Sequence, residues 1–170
     1  VGTGAGKVLR GWSLTDPDDE VRQKARGFIS EMIAFGAKFG APAIIGSMQG
    51  SHGNGVSKDE ALSWLGEALE ELGETAGAAG VKLIYEPLNR YEQHLLRRQA
   101  DGIEIIERAG EPKGVALLSD FFHMHIEETD TPAAFRQAGK HVAHVHMADN
   151  TRLQPGSGDI DWRAGLQALK

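Results

Sequence analysis

Val115-Ala116-Leu117-Leu118-Ser119-Asp120 is a short apolar run that closes on a serine and an acid. Two other stretches repeat the pattern. Val81-Lys82-Leu83-Ile84-Tyr85 leads into Glu86, and His141-Val142-Ala143-His144-Val145 leads into His146. Short apolar runs with β-branched residues read as buried parallel strands. Successive parallel strands of a barrel end on one face, so their last residues converge. Glu, Asp and His meeting at one rim make a donor set suited to a divalent metal. Either acid alone could do no more than cap the next turn. Three in successive units resist that reading.

Helical patterns fill the gaps between these runs. Thr15-Asp16-Pro17-Asp18-Asp19-Glu20 predicts a helix start, with Pro in the first turn and acids at the positive end of the dipole. Phe28, Ile29, Met32, Ile33 and Phe39 follow at helical spacing, and Gly40 and Pro42 end the segment. Ala43-Ile44-Ile45-Gly46-Ser47 predicts a strand. After a Gly-, Ser-, His- and Asn-rich loop at 47–55, Ser57-Lys58-Asp59-Glu60 is a capping box for a long helix carrying Leu62, Leu65, Leu69 and Leu72. Further helices are expected around 102–109, from Thr131-Pro132 to Gly139, and from Asp161-Trp162 onward. The strands start at 43, 81, 115 and 142, a spacing that suits one βα unit each. The alternation implies parallel βαβ units, and with no break in composition the chain reads as one domain, 1–170.

Composition narrows the function. The chain has 170 residues, 41% of them hydrophobic, enough for one sizeable core. Its 24 acids against 18 bases give a net charge of -6, which argues against nucleic acid as a partner. There is no cysteine, so no disulfide, zinc-thiolate or thiol nucleophile, and a reducing cytoplasmic location is expected. No stretch approaches the roughly 20 apolar residues of a membrane span, and the Gly-rich N-terminus has no signal-peptide core. Val1 is not methionine and Lys170 falls within a helical pattern, so a longer natural protein is expected at both ends.

Alternation along strands places Glu86 with Ile84 and Lys82, Asp120 with Leu118 and Ala116, and His146 with His144 and Val142. An apolar floor of this kind lowers the local dielectric beneath the rim. Three blocks extend beyond the strand ends: Glu86-Pro87-Leu88-Asn89-Arg90-Tyr91-Glu92; Asp120-Phe121-Phe122-His123-Met124-His125-Ile126-Glu127-Glu128; and His144-Val145-His146-Met147-Ala148-Asp149-Asn150-Thr151-Arg152, followed by Pro155-Gly156-Ser157-Gly158. Together with Thr15-Asp16-Pro17 and Gly40-Ala41-Pro42, they resemble the sugar isomerase/epimerase group with a xylose isomerase-like TIM barrel. The resemblance is nearest to the ketose 3-epimerases of the D-tagatose/D-psicose type, and it covers nearly the whole chain.

The resemblance implies an α/β fold, a TIM (β/α)8 barrel, here from the end of its third strand to the helix after its seventh. It implies Glu86, Asp120 and His146 as metal ligands and Glu86 also as an acid/base. It gives Glu92, His123 and Arg152 to the sugar's oxygens. Manganese, cobalt or magnesium suits such ligands, with zinc as a further choice. A fourth ligand, a Glu that is also the second acid/base, would lie beyond Lys170, so the 170 residues alone are expected to be inactive. Residues 1–6 would end the third strand of a roughly 250-residue barrel. The expected partner is a small sugar, and a homo-oligomer stays open.

The residues fit that chemistry. Epimerisation beside a ketone needs removal and return of a carbon-bound proton, a polarised carbonyl and a fixed cation for a substrate oxygen. The same parts would serve a dehydratase of inosose or dehydroshikimate type. A barrel that only binds sugar, and a DNA-cleaving branch of the endonuclease IV type, are the other readings. The last is disfavoured by charge and by too few histidines. Gly2-Thr3-Gly4-Ala5-Gly6-Lys7 lacks the leading Gly and following Ser/Thr of a phosphate loop. Ser51-His52-Gly53-Asn54-Gly55 is either a pocket wall or a plain loop. His144 reads as a histidine that supports His146 from the layer below or is packed in the core, His94 and His125 as surface residues, and Trp12, Trp64 and Trp162 as packing.

Overall fold

Each apolar run becomes a parallel strand, and neighbours in sequence are neighbours in space. The computed structural model describes residues 1–53 and 55–170. Strands β1 (Ala43–Ile45), β2 (Leu83–Tyr85), β3 (Val115–Asp120) and β4 (Val142–His146) form one sheet in that order. Ile44 pairs with Ile84, Ile84 with Ala116, and Asp120 with His146, all parallel. Between and around them lie α1 (Gly4–Arg10), α2 (Asp19–Ala37), α3 (Lys58–Ala78), α4 (Gln99–Arg108), α5 (Phe121–Glu127), α6 (Thr131–Ala138) and α7 (Trp162–Ala168).

The sheet separates two apolar regions. On its helix side, Ala43, Ile45, Leu83, Tyr85, Val115 and Leu117 pack with Ile29, Ile33, Leu65, Leu69 and Leu72. On its inner side, Ile84, Ala116 and Leu118 cluster with Ile44. Glu86 and Asp120 continue the inner row, one step beyond Ile84 and Leu118, as period-two alternation requires. The floor beneath them is therefore apolar.

Strand β4 departs from simple alternation. Leu117 faces Val142, but Leu118 faces His144, so Ala143 is an extra residue. The bulge turns Val142 to the helix side, where it packs against the main core. Val142 thus does not share a face with His144 and His146, contrary to the sequence pattern. His144 is exposed rather than packed.

Several local expectations also shift. Residues 1–3 do run beside β1, with Ile44 N–H donating to the Val1 carbonyl and Gly2 bridging Ile44. Gly4 to Gly6, however, open α1 instead of extending a strand. A Cβ at Gly6 would lie 2.8 Å from Met48 Sδ and 2.9 Å from Phe28, so its glycine serves close packing. The cap of α2 is Asp18, which accepts from Glu20 N–H at 2.9 Å, and Pro17 precedes it rather than entering the first turn. Helix α2 ends at Ala37, leaving Phe39 72% exposed against Phe35 instead of in the core. The capping box of α3 forms as expected. Helix α7 closes at Ala168, so Lys170 lies past its end. Among the described residues no helix is long and apolar enough to cross a membrane.

Candidate metal and sugar site

Three strand ends deliver the rim. Glu86 follows β2 directly, Asp120 ends β3 and His146 ends β4. His146 Nδ1 lies 3.4 Å from Glu86 Oε1 and 3.4 Å from Asp120 Oδ2. Metal–ligand bonds of about 2.0–2.2 Å set neighbouring ligand atoms about 3.0–3.4 Å apart, so these two separations fit a small divalent ion. His123, from α5, also approaches. Its Nε2 is 4.0 Å from both Glu86 Oε1 and Asp120 Oδ2, and Glu86, Asp120 and His123 by themselves form a metal-capable group. Sequence reading gave His123 to the sugar, so the geometry adds a second imidazole as a candidate ligand.

Both carboxylates divide their oxygens. Asp120 Oδ1 caps α5 by accepting from Phe122 N–H at 2.8 Å, while Oδ2 faces His146 and accepts from Arg152 Nη1 at 3.2 Å. Glu86 Oε1 faces the histidines. Glu86 Oε2 lies beside Gly46, where a Cβ would stand 3.2 Å away, so the wall there is bare backbone. Burial, and next the Asp120 charge, push the Glu86 carboxyl up to about 7, with Arg152 opposing. Burial holds the His123 imidazole below its usual range, against the pull of Asp120 and Glu92.

Arg152 closes the far side. Its guanidinium lies 4.0 Å over the Phe122 ring, and Nη2 is 3.8 Å from Glu92 Oε1. The loop that carries it has Arg152 itself at φ 59°, a left-handed conformation. Asp149 holds that loop. Burial would raise its carboxyl, but donors from Trp162, Asn150, Gly156 and Gly158 outweigh this and bring it to about 2. Trp162 Nε1 donates at 2.8 Å and Gly156 N–H at 2.7 Å.

Glu86, Glu92, Asp120, His123, His146 and Arg152 all line one cavity of about 370 Å³, together with Gly46 and Ser47. Among the described residues of the loop at 51–55, none lines it, and Asn54 lies outside the described residues. A larger hollow of about 680 Å³ lies along β4 and the end of α6 but gathers no acidic side chain. His94 and His125 are exposed, and the three tryptophans pack against the cores.

Asn89, Asp149 and Gly46 were not singled out by sequence reading. Asn89 and Asp149 lie within the motif blocks, yet neither ends an apolar run; Asn89's partner His123 is 34 residues away, and Asp149's partners sit in an irregular loop and at the start of α7, where no periodicity marks them.

The sequence pattern of the xylose isomerase-like TIM barrel family matches residues 2–170. The chain belongs to this family. An L-ribulose 3-epimerase of Mesorhizobium japonicum is 33% identical over 158 residues, 92% of this chain and 53% of that protein. A D-psicose 3-epimerase of Ruminiclostridium cellulolyticum is 29% identical over 154 residues, 88% of this chain and 52% of that one. A solved L-ribulose 3-epimerase superposes with a TM-score of 0.84 at 32% identity, over 92% of this chain and 53% of that structure. The chain thus spans about half the length of the curated relatives it matches, and its four strands are part of a xylose isomerase-like barrel.

Proposed function

We propose that this rim belongs to a metal-dependent ketose epimerase that moves a proton at the carbon beside a ketose carbonyl. One observation carries the proposal. His146 Nδ1 stands 3.4 Å from a carboxylate oxygen of Glu86 and 3.4 Å from one of Asp120, in a cavity that Arg152 also enters. Relatives named L-ribulose and D-psicose 3-epimerase support a free ketose as the substrate class. Residues 1–170 are read as part of a single barrel domain, since one sheet joins all four strands in chain order.

A divalent ion held by Glu86, Asp120 and His146 would polarise the substrate carbonyl and offset charge developing on its oxygen. Manganese, cobalt and magnesium suit these donors. Glu86 supplies the proton acceptor. Its carboxylate form takes the carbon-bound proton, and the C–H electron pair passes into an enediolate. Oε2, beside the bare Gly46 wall, is the oxygen free for that duty. Return of a proton to the opposite face by a second acid, the one the resemblance expects beyond Lys170, gives the epimer. Arg152 grips a substrate oxygen, and Glu92 and His123 receive neighbouring hydroxyls.

The test is hydrogen exchange in deuterated water by the full-length protein with a panel of free ketoses, followed by NMR. Deuterium should enter beside the carbonyl together with a new epimer. Glu86→Gln should slow exchange by at least about 100-fold. Loss of water from the sugar would point instead to a dehydratase. Exchange by Glu86→Gln at the unsubstituted rate would remove Glu86 as the base.

A further inference from the structure

Two histidines stand at similar range from the same carboxylate pair, and the far side of one ring distinguishes their duties. His123 Nδ1 faces Asn89. The Asn89 backbone N–H donates to it at 3.2 Å, and the side-chain Nδ2 lies 2.8 Å away. The orientation of the amide is set by its other partners. Asn89 Oδ1 accepts from Tyr91 N–H at 2.9 Å, and Nδ2 donates to Glu92 Oε1 at 3.0 Å. A flipped amide would set its NH₂ against an N–H and its oxygen against a carboxylate. The second Nδ2 hydrogen therefore points at His123 Nδ1. Asn89 and His123 are 1% and 2% exposed, so water does not compete for these contacts.

A ring nitrogen that accepts two N–H donors carries no proton. In a neutral imidazole the proton then sits on the other nitrogen. We propose that Asn89 is a positioning residue that fixes His123 as the Nε2–H tautomer, a physical reason for the duties the resemblance already gives the two histidines, His123 toward a sugar oxygen and His146 toward the metal. The 4.0 Å from Nε2 to each carboxylate is too long for a direct hydrogen bond and leaves room for that oxygen. Among the described residues, His146 has no such pair of donors, and its Nδ1 is the atom facing the carboxylates. A metal takes the lone pair of a deprotonated nitrogen, which the His123 Nε2 lacks. The tautomer stands on Asn89 alone. Only the division of labour rests on the metal reading above.

The experiment is long-range ¹H–¹⁵N NMR of the metal-free protein labelled at histidine nitrogens, with His123 assigned by His123→Gln. The expected spectrum shows His123 protonated at Nε2, and Asn89→Asp, which sets an acceptor against Nδ1, shifts protonation toward Nδ1. A His123 protonated at Nδ1 in the unsubstituted protein overturns the proposal, as does an unchanged tautomer in Asn89→Asp. Manganese titration forms the second arm. His146→Gln should weaken Mn²⁺ binding by at least about tenfold, and His123→Gln by no more than about threefold. Equal losses overturn the assignment. If neither variant changes Mn²⁺ binding, the metal reading fails, while the spectrum still decides the tautomer.

Discussion

Asp120 shows how one side chain can be both a structural cap and a rim donor. Oδ1 caps α5, so the capping reading holds, and Oδ2 faces His146 and Arg152, which leaves it placed for the metal role proposed above. Substitutions should separate them. Asn caps a helix about as well as Asp, whereas Ala forfeits about 1 kcal/mol. Asp120→Asn should keep the helix and lose Mn²⁺ affinity, and Asp120→Ala should lose both. Chemical denaturation and manganese titration of the two variants check this. Equal stability losses would show that the Oδ1 contact contributes nothing. The position of Asp120, like those of Glu86 and His146, is legible because it closes an apolar run. Asn89 is not, because its partner His123 is 34 residues away and no periodicity connects them.

At the scale of elements, the patterned helices α2, α3 and α4 and the four strands are readable, while α1 and α5 are not. Glycine-rich Gly4-Ala5-Gly6 looks like a loop until Met48 and Phe28 are found against it. Helix α5 begins on the residue after β3, with no intervening loop, and its seven residues are too few to show a period. The loop between β4 and α7 is the functional counterpart. Asp149 ties residues 150, 156 and 162 together, and Arg152 N–H donates back to the Asp149 carbonyl at 2.8 Å. Asp149→Asn would turn an amide NH₂ toward one of these donors. Amide hydrogen exchange across 150–158 should then accelerate, while exchange in β2 and β3 stays slow. Unchanged protection in that loop would show that Asp149 does not hold it.

For the whole molecule, the raised Glu86 carboxyl has a global cost. Its ordinary value is 4.5 and burial lifts it to about 7 in the folded chain. The folded state therefore binds this proton more tightly than the unfolded one. Stability falls as pH rises from about 4.5 to about 7 and levels off above, by on the order of 3 kcal/mol in the metal-free protein. A bound divalent ion favours the carboxylate and should offset the loss. Denaturation at pH 5 and pH 8 should show a drop that is smaller in Glu86→Gln and smaller with Mn²⁺ present. Equal pH slopes for the two proteins would show that Glu86 is not held protonated. This effect comes from the apolar floor of Ile44, Ile84, Ala116 and Leu118, which alternation within the strands already outlines.

The extra residue in β4 makes the rim unevenly tolerant of changes in chain length. Leu117–Val142 and Leu118–His144 are consecutive pairs on β3 but skip Ala143 on β4. Deleting Ala143 would join those two pairs into an unbroken ladder, with Val142 still outward and His146 still opposite Asp120. Deleting Val145, two positions on, would bring His146 opposite Ser119 and swing its ring to the helix side, because a one-residue slip reverses every following side chain. The first deletion should keep Mn²⁺ binding and the second should abolish it, as titration of the two shortened chains would show. Loss of binding in both would mean that the bulge itself, and not only the parity of the residues after it, sets the rim. Gain and loss of single residues in this strand is thus filtered by position, with one neutral gap beside several that would erase the site.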